Sequence, residues 1–370
     1  MTAMRFAHET LGQRVLFGTG AAGEHVAAEI ERLGAARPMV VAAEPERALA
    51  ETATAGATPV LWWGEVAQHV PVEVAEGARA AAAEHAVDVI VSVGGGSTTG
   101  LAKAVALTTG LPIIAVPTTY AGSEATNVWG LTEDRTKTTG VDPRVLPTAV
   151  VYDAQLSRTL PVELSVASGL NGLAHCVDSL WAPKADPINQ AMALEGARAL
   201  NLALRGIVAD PQDLDAREQA LYGCYLAAVA FASAGSGLHH KICHVLGGTF
   251  DLPHAPTHAT VLPYVLALNA PGVPELAARL AAALGHIPAD GQDPAVAAVY
   301  ALNVLRETVD APARLSDHGF TAAGIPEAVD RILDAAPASN PVPVSGAGVE
   351  RLLTDALTGA TPTPAVPATV

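Results

Sequence analysis

Short apolar runs and longer alanine-rich stretches alternate over the first part of the chain. The runs at 14–17, 39–43, 59–63, 88–93 and 112–116 have strand length, and their unbroken apolar character predicts burial on both faces. Stretches of helical length, such as 73–85, lie between them. This alternation predicts a parallel sheet covered by helices on both sides. Segment 126–151 predicts a hairpin and a returning strand. Past Asp153 the pattern becomes helical, with stretches at 163–182, 187–207, 213–234, 237–247, 257–269, 274–284, 295–308, 322–335 and 347–358 punctuated by proline and glycine. The expected organisation is an α/β domain over 1–155, an all-helical domain over 156–358 and a loose Pro/Thr/Ala-rich tail over 359–370.

A chain of 370 residues is long enough for two cores. Its formal net charge of −16 argues against nucleic-acid binding, and an anionic substrate would need a local basic pocket. Cys176, Cys224 and Cys243 show no disulfide-framework spacing, which fits a reducing, cytoplasmic setting. The opening MTAMRFAHET lacks the apolar core of a signal peptide, and no apolar run reaches the ~18 residues of a membrane span.

Two glycine segments carry candidate chemistry. Gly18-Thr19-Gly20-Ala21-Ala22-Gly23 follows a predicted strand in the G-x-G-x-x-G pattern, with Glu44 at the end of the next strand. That match reads equally as an ordinary strand-to-helix turn. Gly94, Gly95, Gly96 and Ser97 follow the strand VDVIVSV and open a helix, where free amides can receive a phosphate and Ser97 can cap. Pro117-Thr118-Thr119-Tyr120-Ala121-Gly122-Ser123-Glu124 follows the next strand, at the carboxyl end where α/β sheets bind ligands.

Segment 237–258 holds five of the twelve histidines. His240 and His244 are four apart and share a helical face, as do Asn171 and His175 upstream. His254 follows after a Gly-Gly break and a proline. Converging imidazoles bind metals or move protons near neutral pH.

GGGSTTGLAK, PTTYAGSEAT, SGLNGLAHC, and H-x3-H with a later PH make the chain resemble the iron-containing alcohol dehydrogenase superfamily over roughly residues 10–360. Within it, SGLNGLAHCVDSLWAP and GLHHKICHVLGG-x-FDLPHA-x-TH resemble the maleylacetate reductase branch. The resemblance implies a dinucleotide-binding domain, a helical domain, an active site between them, NADH or NADPH as hydride donor, and a homodimer. It implies Gly94, Gly95, Gly96 and Ser97 at the pyrophosphate, Thr118, Thr119 and Ser123 along the cofactor, and Lys137 near its ribose. Glu44 would face the adenosine ribose and repel a 2′-phosphate, so NADH is the expected preference.

Metal-dependent members of the superfamily use one aspartate and three histidines. The histidines match His175, His240 and His254, but the aspartate position is Asn171, a poor substitute on a divalent cation. Gly100 stands where those relatives commonly carry a second aspartate. No metal is therefore expected to be required. The implied reaction is NAD(P)H-dependent reduction of the C=C bond of maleylacetate to 3-oxoadipate in aromatic-compound breakdown. Hydride adds to the alkene, and negative charge develops on the conjugated ketone oxygen, which N–H donors can stabilise. The expected roles are His240 and His254 as substrate or oxyanion contacts, His175 as their support and His244 as a proton relay. Asn171, Tyr120 and Lys241 are expected substrate contacts, although Lys241 stands equally well on the surface. His258 is expected to close or cap the next helix, with Cys176 and Cys243 as packing groups. The competing readings are a metal-dependent alcohol or polyol dehydrogenase of the same fold, a lyase resembling 3-dehydroquinate synthase, and a nucleotide-binding protein without turnover.

Overall fold

The computed structural model of the chain describes residues 4–133 and 136–364, with Thr136 and Lys137 as backbone only. It comprises two compact units. The sheet unit takes Thr10–Pro161 together with Pro211–Leu221. The helical unit takes Val162–Asp210 and the described residues from Tyr222 onward, and the described residues up to Glu9 group with it. Two segments thus depart from the contiguous division expected from the sequence.

The sheet unit contains β1 (Arg14–Phe17), α1 (Ala22–Arg32), β2 (Pro38–Val41), α2 (Arg47–Ala53), β3 (Leu61–Trp63), α3 (Val72–Glu84), β4 (Val89–Gly94), α4 (Gly96–Thr109), β5 (Ile113–Pro117), β6 (Val128–Glu133), β7 (Thr136–Val141) and β8 (Ala149–Tyr152). Six strands form one parallel sheet in the order β1-β8-β5-β4-β2-β3. The predicted hairpin is the antiparallel pair β6–β7, and β8 is the returning strand. Alternate strand residues face opposite layers. Val89, Val91 and Val93 pack with Val26 of α1 and Ala50 of α2, whereas Ile90 packs with Ala78 of α3 and Leu101 of α4. Both faces are dry, which explains the unbroken apolar runs.

The helical unit contains α5 (Val162–Ser179), α6 (Pro187–Ala209), most of α7 (Leu214–Ala234), α8 (Leu238–Phe250), α9 (His254–Asn269), α10 (Pro274–Ala283), α11 (Pro294–Thr308), α12 (Ile325–Ala335) and α13 (Gly346–Thr358). α9 serves two cores: Ala259, Leu262 and Leu266 pack with α5 and α6, while Val261 and Val265 pack with α8 and α13. α5 and α6 pack closely, and a Cβ at Gly169 would stand 2.6 Å from Leu204 Cδ2. Of the expected tail, Ala360 is tied by its carbonyl to the Tyr264 hydroxyl at 2.9 Å, and residues 365–370 lie outside the described residues. No single helix among the described residues is long and apolar enough to cross a membrane.

Candidate active site

In the sheet unit β4 lies between β2 and β5, so the segments leaving these three strands share one edge. Gly94, with φ of 153°, and Gly95 lead into α4. A Cβ at 94 would stand 2.4 Å from Thr98 Oγ1 and 2.6 Å from Glu46 Oε2; one at 95 would stand 3.0 Å from Thr119 Cγ2. Only glycine leaves this concavity open. Gly95 is the N-cap, and no side chain caps the helix. Ser97 lies inside the first turn and is not the cap expected from the sequence, because the helix starts earlier. Uncapped amides on a glycine backbone fit a phosphate.

Thr118 donates from its hydroxyl to Glu46 Oε1 at 2.7 Å, and its N–H donates to the Gly94 carbonyl at 3.1 Å. Glu46 was not among the sequence candidates. Burial raises its pKa, opposed by the Thr118 hydrogen bond. Glu44 is exposed at the start of the same 3₁₀ turn, and its Oε1 lies 2.7 Å from where a Cβ on Gly64 would be. Ser123 begins another 3₁₀ turn, held by Lys103 of α4. The Lys103 ammonium donates to the carbonyls of Ser123 (2.6 Å), Thr126 (2.8 Å) and Val128 (2.9 Å) and to Thr126 Oγ1 (3.1 Å). The side chain of Lys137 lies outside the described residues.

One expectation is corrected in this unit, and one reading that the sequence left open is decided. Tyr120, expected to touch substrate, is fully buried; its hydroxyl donates to Ser157 Oγ at 3.4 Å and accepts from Arg217 Nη1 at 3.1 Å. Its packing and polar partners belong to the interior of the sheet unit. The Gly18–Gly23 segment is an ordinary turn. The N–H groups of Gly20 (2.8 Å) and Ala22 (3.1 Å) donate to the Asp153 carboxylate, which also accepts the Gln155 N–H at 3.0 Å. An internal anion thus occupies the amides that a phosphate would use.

In the helical unit α5 brings Asn171, His175 and Asp178, α8 brings His239, His240, Lys241, Cys243 and His244, and α9 brings His254 and His258. His175 stacks on His240 with ring centroids 4.8 Å apart and planes 11° apart, and Phe231 covers both rings. His240 also meets His258 (4.8 Å) and His244 (6.1 Å), and His258 meets His254 (4.4 Å). The structure therefore brings together all four predicted catalytic histidines. His175 and His240 are buried, whereas His244 and His254 are exposed. Lys241 is half-buried, and its charge acts on Asp178.

Burial lowers the pKa of His175 and His239 to about 3, and those of His240 and His258 well below the ordinary value, with neighbouring imidazoles adding to the shift. These rings are neutral near pH 7. Asn171 Oδ1, His175 Nδ1, His240 Nε2 and His258 Nε2 are buried without a hydrogen-bond partner, so the cluster has unsatisfied polar atoms to offer a ligand.

His258 lies within α9 and hydrogen-bonds His239 ring to ring at 3.0 Å, so it does not close the helix as expected. Cys243 Sγ lies 3.6 Å from His239 Nε2, a polar contact beyond simple packing, and the three buried cysteines form no disulfide. Among the described residues, the trio of potential metal ligands whose atoms lie within 4.8 Å of one another is His239, Cys243 and His258. The positions that match the superfamily's metal ligands form no such trio, and Asn171 supplies a neutral oxygen there. This donor set does not fit the divalent cation of metal-dependent relatives.

Asp178 and His239 were also missed. Asp178 is fully buried and accepts the N–H groups of Gly237 (2.9 Å), His240 (3.3 Å) and His239 (3.4 Å) at the start of α8. It also contacts His240 Nδ1 at 2.8 Å. Burial pushes its pKa up to about 7, against the pull of these backbone donors. Its sequence signal was a carboxylate three residues after His175, on the same helical face.

Comparison with known proteins matches this arrangement over nearly the whole chain. The family described as "Iron-containing alcohol dehydrogenase" matches residues 12–154, and "Fe-containing alcohol dehydrogenase family, C-terminal" matches residues 165–357. A maleylacetate reductase of Sphingobium indicum is 45% identical over 97% of this chain and 99% of its own. The crystal structure of an iron-containing alcohol dehydrogenase from Corynebacterium glutamicum is 58% identical, with a TM-score of 0.93 over 97% of this chain and 98% of that one. The crystal structure of a maleylacetate reductase from Agrobacterium tumefaciens is 40% identical, with a TM-score of 0.90 over 97% of this chain and 100% of that one. With the glycine loop on the sheet edge and the imidazoles on α5, α8 and α9, the chain belongs to the iron-containing alcohol dehydrogenase family.

Proposed function

We propose that the protein is a maleylacetate reductase that uses NADH and requires no metal. The observation that carries this reading is the near-full-length identity to curated maleylacetate reductases. The neutral Asn171 at the metal-ligand position supports the metal-free chemistry. Gly94, Gly95 and Gly96 and the uncapped start of α4 would hold the cofactor's pyrophosphate, with Thr118, Thr119 and Ser123 beside it. The bound dinucleotide supplies the hydride. Glu44 and Glu46, both on the turn after β2, place negative charge that disfavours a ribose 2′-phosphate.

The buried imidazoles hydrogen-bond without charge, so they orient the substrate and do not neutralise it. His175 offers its unsatisfied nitrogen to the ketone oxygen, where negative charge develops, and His240 offers its own as a substrate contact. Asn171 Oδ1 accepts from a protonated partner in the same place. Exposed His244, one turn from His240, relays a proton from solvent, and His254 contacts a substrate carboxylate. Lys241 supplies a cation for the second carboxylate. A homodimer is the assembly that the family resemblance supports.

The test follows loss of NADH absorbance with maleylacetate, with and without EDTA, beside His244→Ala. Turnover that survives EDTA and favours NADH over NADPH in kcat/KM is expected, together with a large loss in the variant. No turnover of maleylacetate removes the substrate assignment, and inhibition by EDTA reversed by added metal removes the metal-free mechanism. Equal kcat/KM for the two cofactors removes the role given to Glu44. The C. glutamicum likeness favours a second reading, a metal-dependent alcohol dehydrogenase, which chelator-sensitive alcohol oxidation would support.

A further inference from the structure

We propose that Asp178 is the positioning residue for His240: it holds the ring in its Nδ1–H tautomer and presents Nε2 to the reacting side of the imidazole cluster. Asp178 lies on α5 and His240 on α8, with Nδ1 and Oδ2 2.8 Å apart. Oδ2 already accepts the Gly237 N–H at 2.9 Å and the His240 N–H at 3.3 Å. Its neighbour Oδ1 faces the His239 N–H at 3.4 Å. The carboxyl group therefore sits against three amides at a helix N-terminus, and these donors oppose the burial that raises its pKa. One hydrogen lies between Oδ2 and Nδ1, since two bare acceptors at this distance repel, and with the amides already on Oδ2 we place it on Nδ1. Nε2 then bears the lone pair, and this is the buried ring nitrogen without a partner.

The approach is specific to glycine at 237. A Cβ there would stand 2.4 Å from Asp178 Oδ1 and would push the carboxylate off both the helix end and the ring. The stack of His175 on His240 and the cover by Phe231 block rotation of the ring from the other sides. Any hydrogen bond that His240 makes with a ligand thus runs through Nε2.

Asp178→Ala removes the acceptor behind the ring, so the preference for Nδ1–H is lost. The first measurement is 15N NMR of histidine-labelled protein, with His240 assigned by its loss in His240→Gln. Wild type is expected to show a protonated Nδ1 and a bare Nε2, and Asp178→Ala a mixture of the two tautomers. The second measurement rests on the reductase reading: kcat with maleylacetate is expected to fall on the order of 100-fold or more in Asp178→Ala, with a much smaller change in KM. A wild-type His240 with protonated Nε2 overturns the proposal, and this holds even where the variant fails to fold. A folded Asp178→Ala with wild-type kcat overturns it as well. The NMR arm needs no substrate, so a wild type that does not turn over maleylacetate sinks the substrate assignment and leaves the tautomer result standing.

Discussion

The two glycine loops of the sheet unit share a grammar: a strand, a glycine-rich turn, then a helix. At Gly18–Gly23 the amides at the start of α1 are taken by Asp153, more than a hundred residues along the chain. At Gly94–Gly96 the helix opens on Gly95 with no side-chain cap, and the nearest carboxylate, that of Glu46, is engaged with Thr118. The first loop is a closed structural joint and the second is open for an anion. What separates them is which residue caps the helix, and neither glycine spacing nor strand context reports that.

The largest expected effect tests the open loop. Gly95→Val sets a branched side chain against Thr119 and should weaken NADH binding on the order of 100-fold, the ~3 kcal/mol that overpacking costs. Fluorescence titration measures it, and a wild-type affinity would mean that the cofactor does not use this loop. The closed loop should respond in the opposite way. Asp153→Ala strips three amides of their acceptor and should cost about 2 kcal/mol of stability in urea unfolding. NADH affinity in the folded variant should stay unchanged; a parallel loss would mean that the two loops are coupled. The smallest effect concerns pH. Burial raises the Glu46 pKa, so its carboxylate charges only as pH climbs above its ordinary value near 4.5. NADH affinity should therefore fall with rising pH by roughly fivefold, about 1 kcal/mol of repulsion, and the slope should vanish in Glu46→Gln. A flat wild-type profile would instead put Glu46 on a ribose hydroxyl.

The parallel sheet, the hairpin and the helical half were readable because buried strands and helices impose distinct apolar patterns, and glycine and proline mark their ends. The open loop was readable because three successive glycines have few other uses. Two of the errors share a physical origin, since each depended on a partner distant in sequence. Tyr120 looked available until Arg217 and Ser157 enclosed its hydroxyl. His258 looked like a helix end until His239 supplied a ring partner. Ser97 failed as a cap because the helix begins at Gly96, before it. Among the histidines, helical spacing identified the face shared by His240 and His244 but not the depth of either. His244 is exposed and His240 is buried because α5 covers one end of that face.

α4 performs two tasks at once. Its first residues form the phosphate-ready loop, and Lys103, two turns further on, fastens the carbonyls of the Ser123–Val128 segment. Two contact regions of a bound dinucleotide would thus be measured from a single rigid rod. A shift of that rod carries the two contact regions together, and the distance between them is preserved. Attempts to re-engineer the chain for a longer or shorter cofactor would meet this fixed gauge first. Changing the spacing would require cutting the tether at Lys103, because resculpting either loop alone leaves the rod's length as it was.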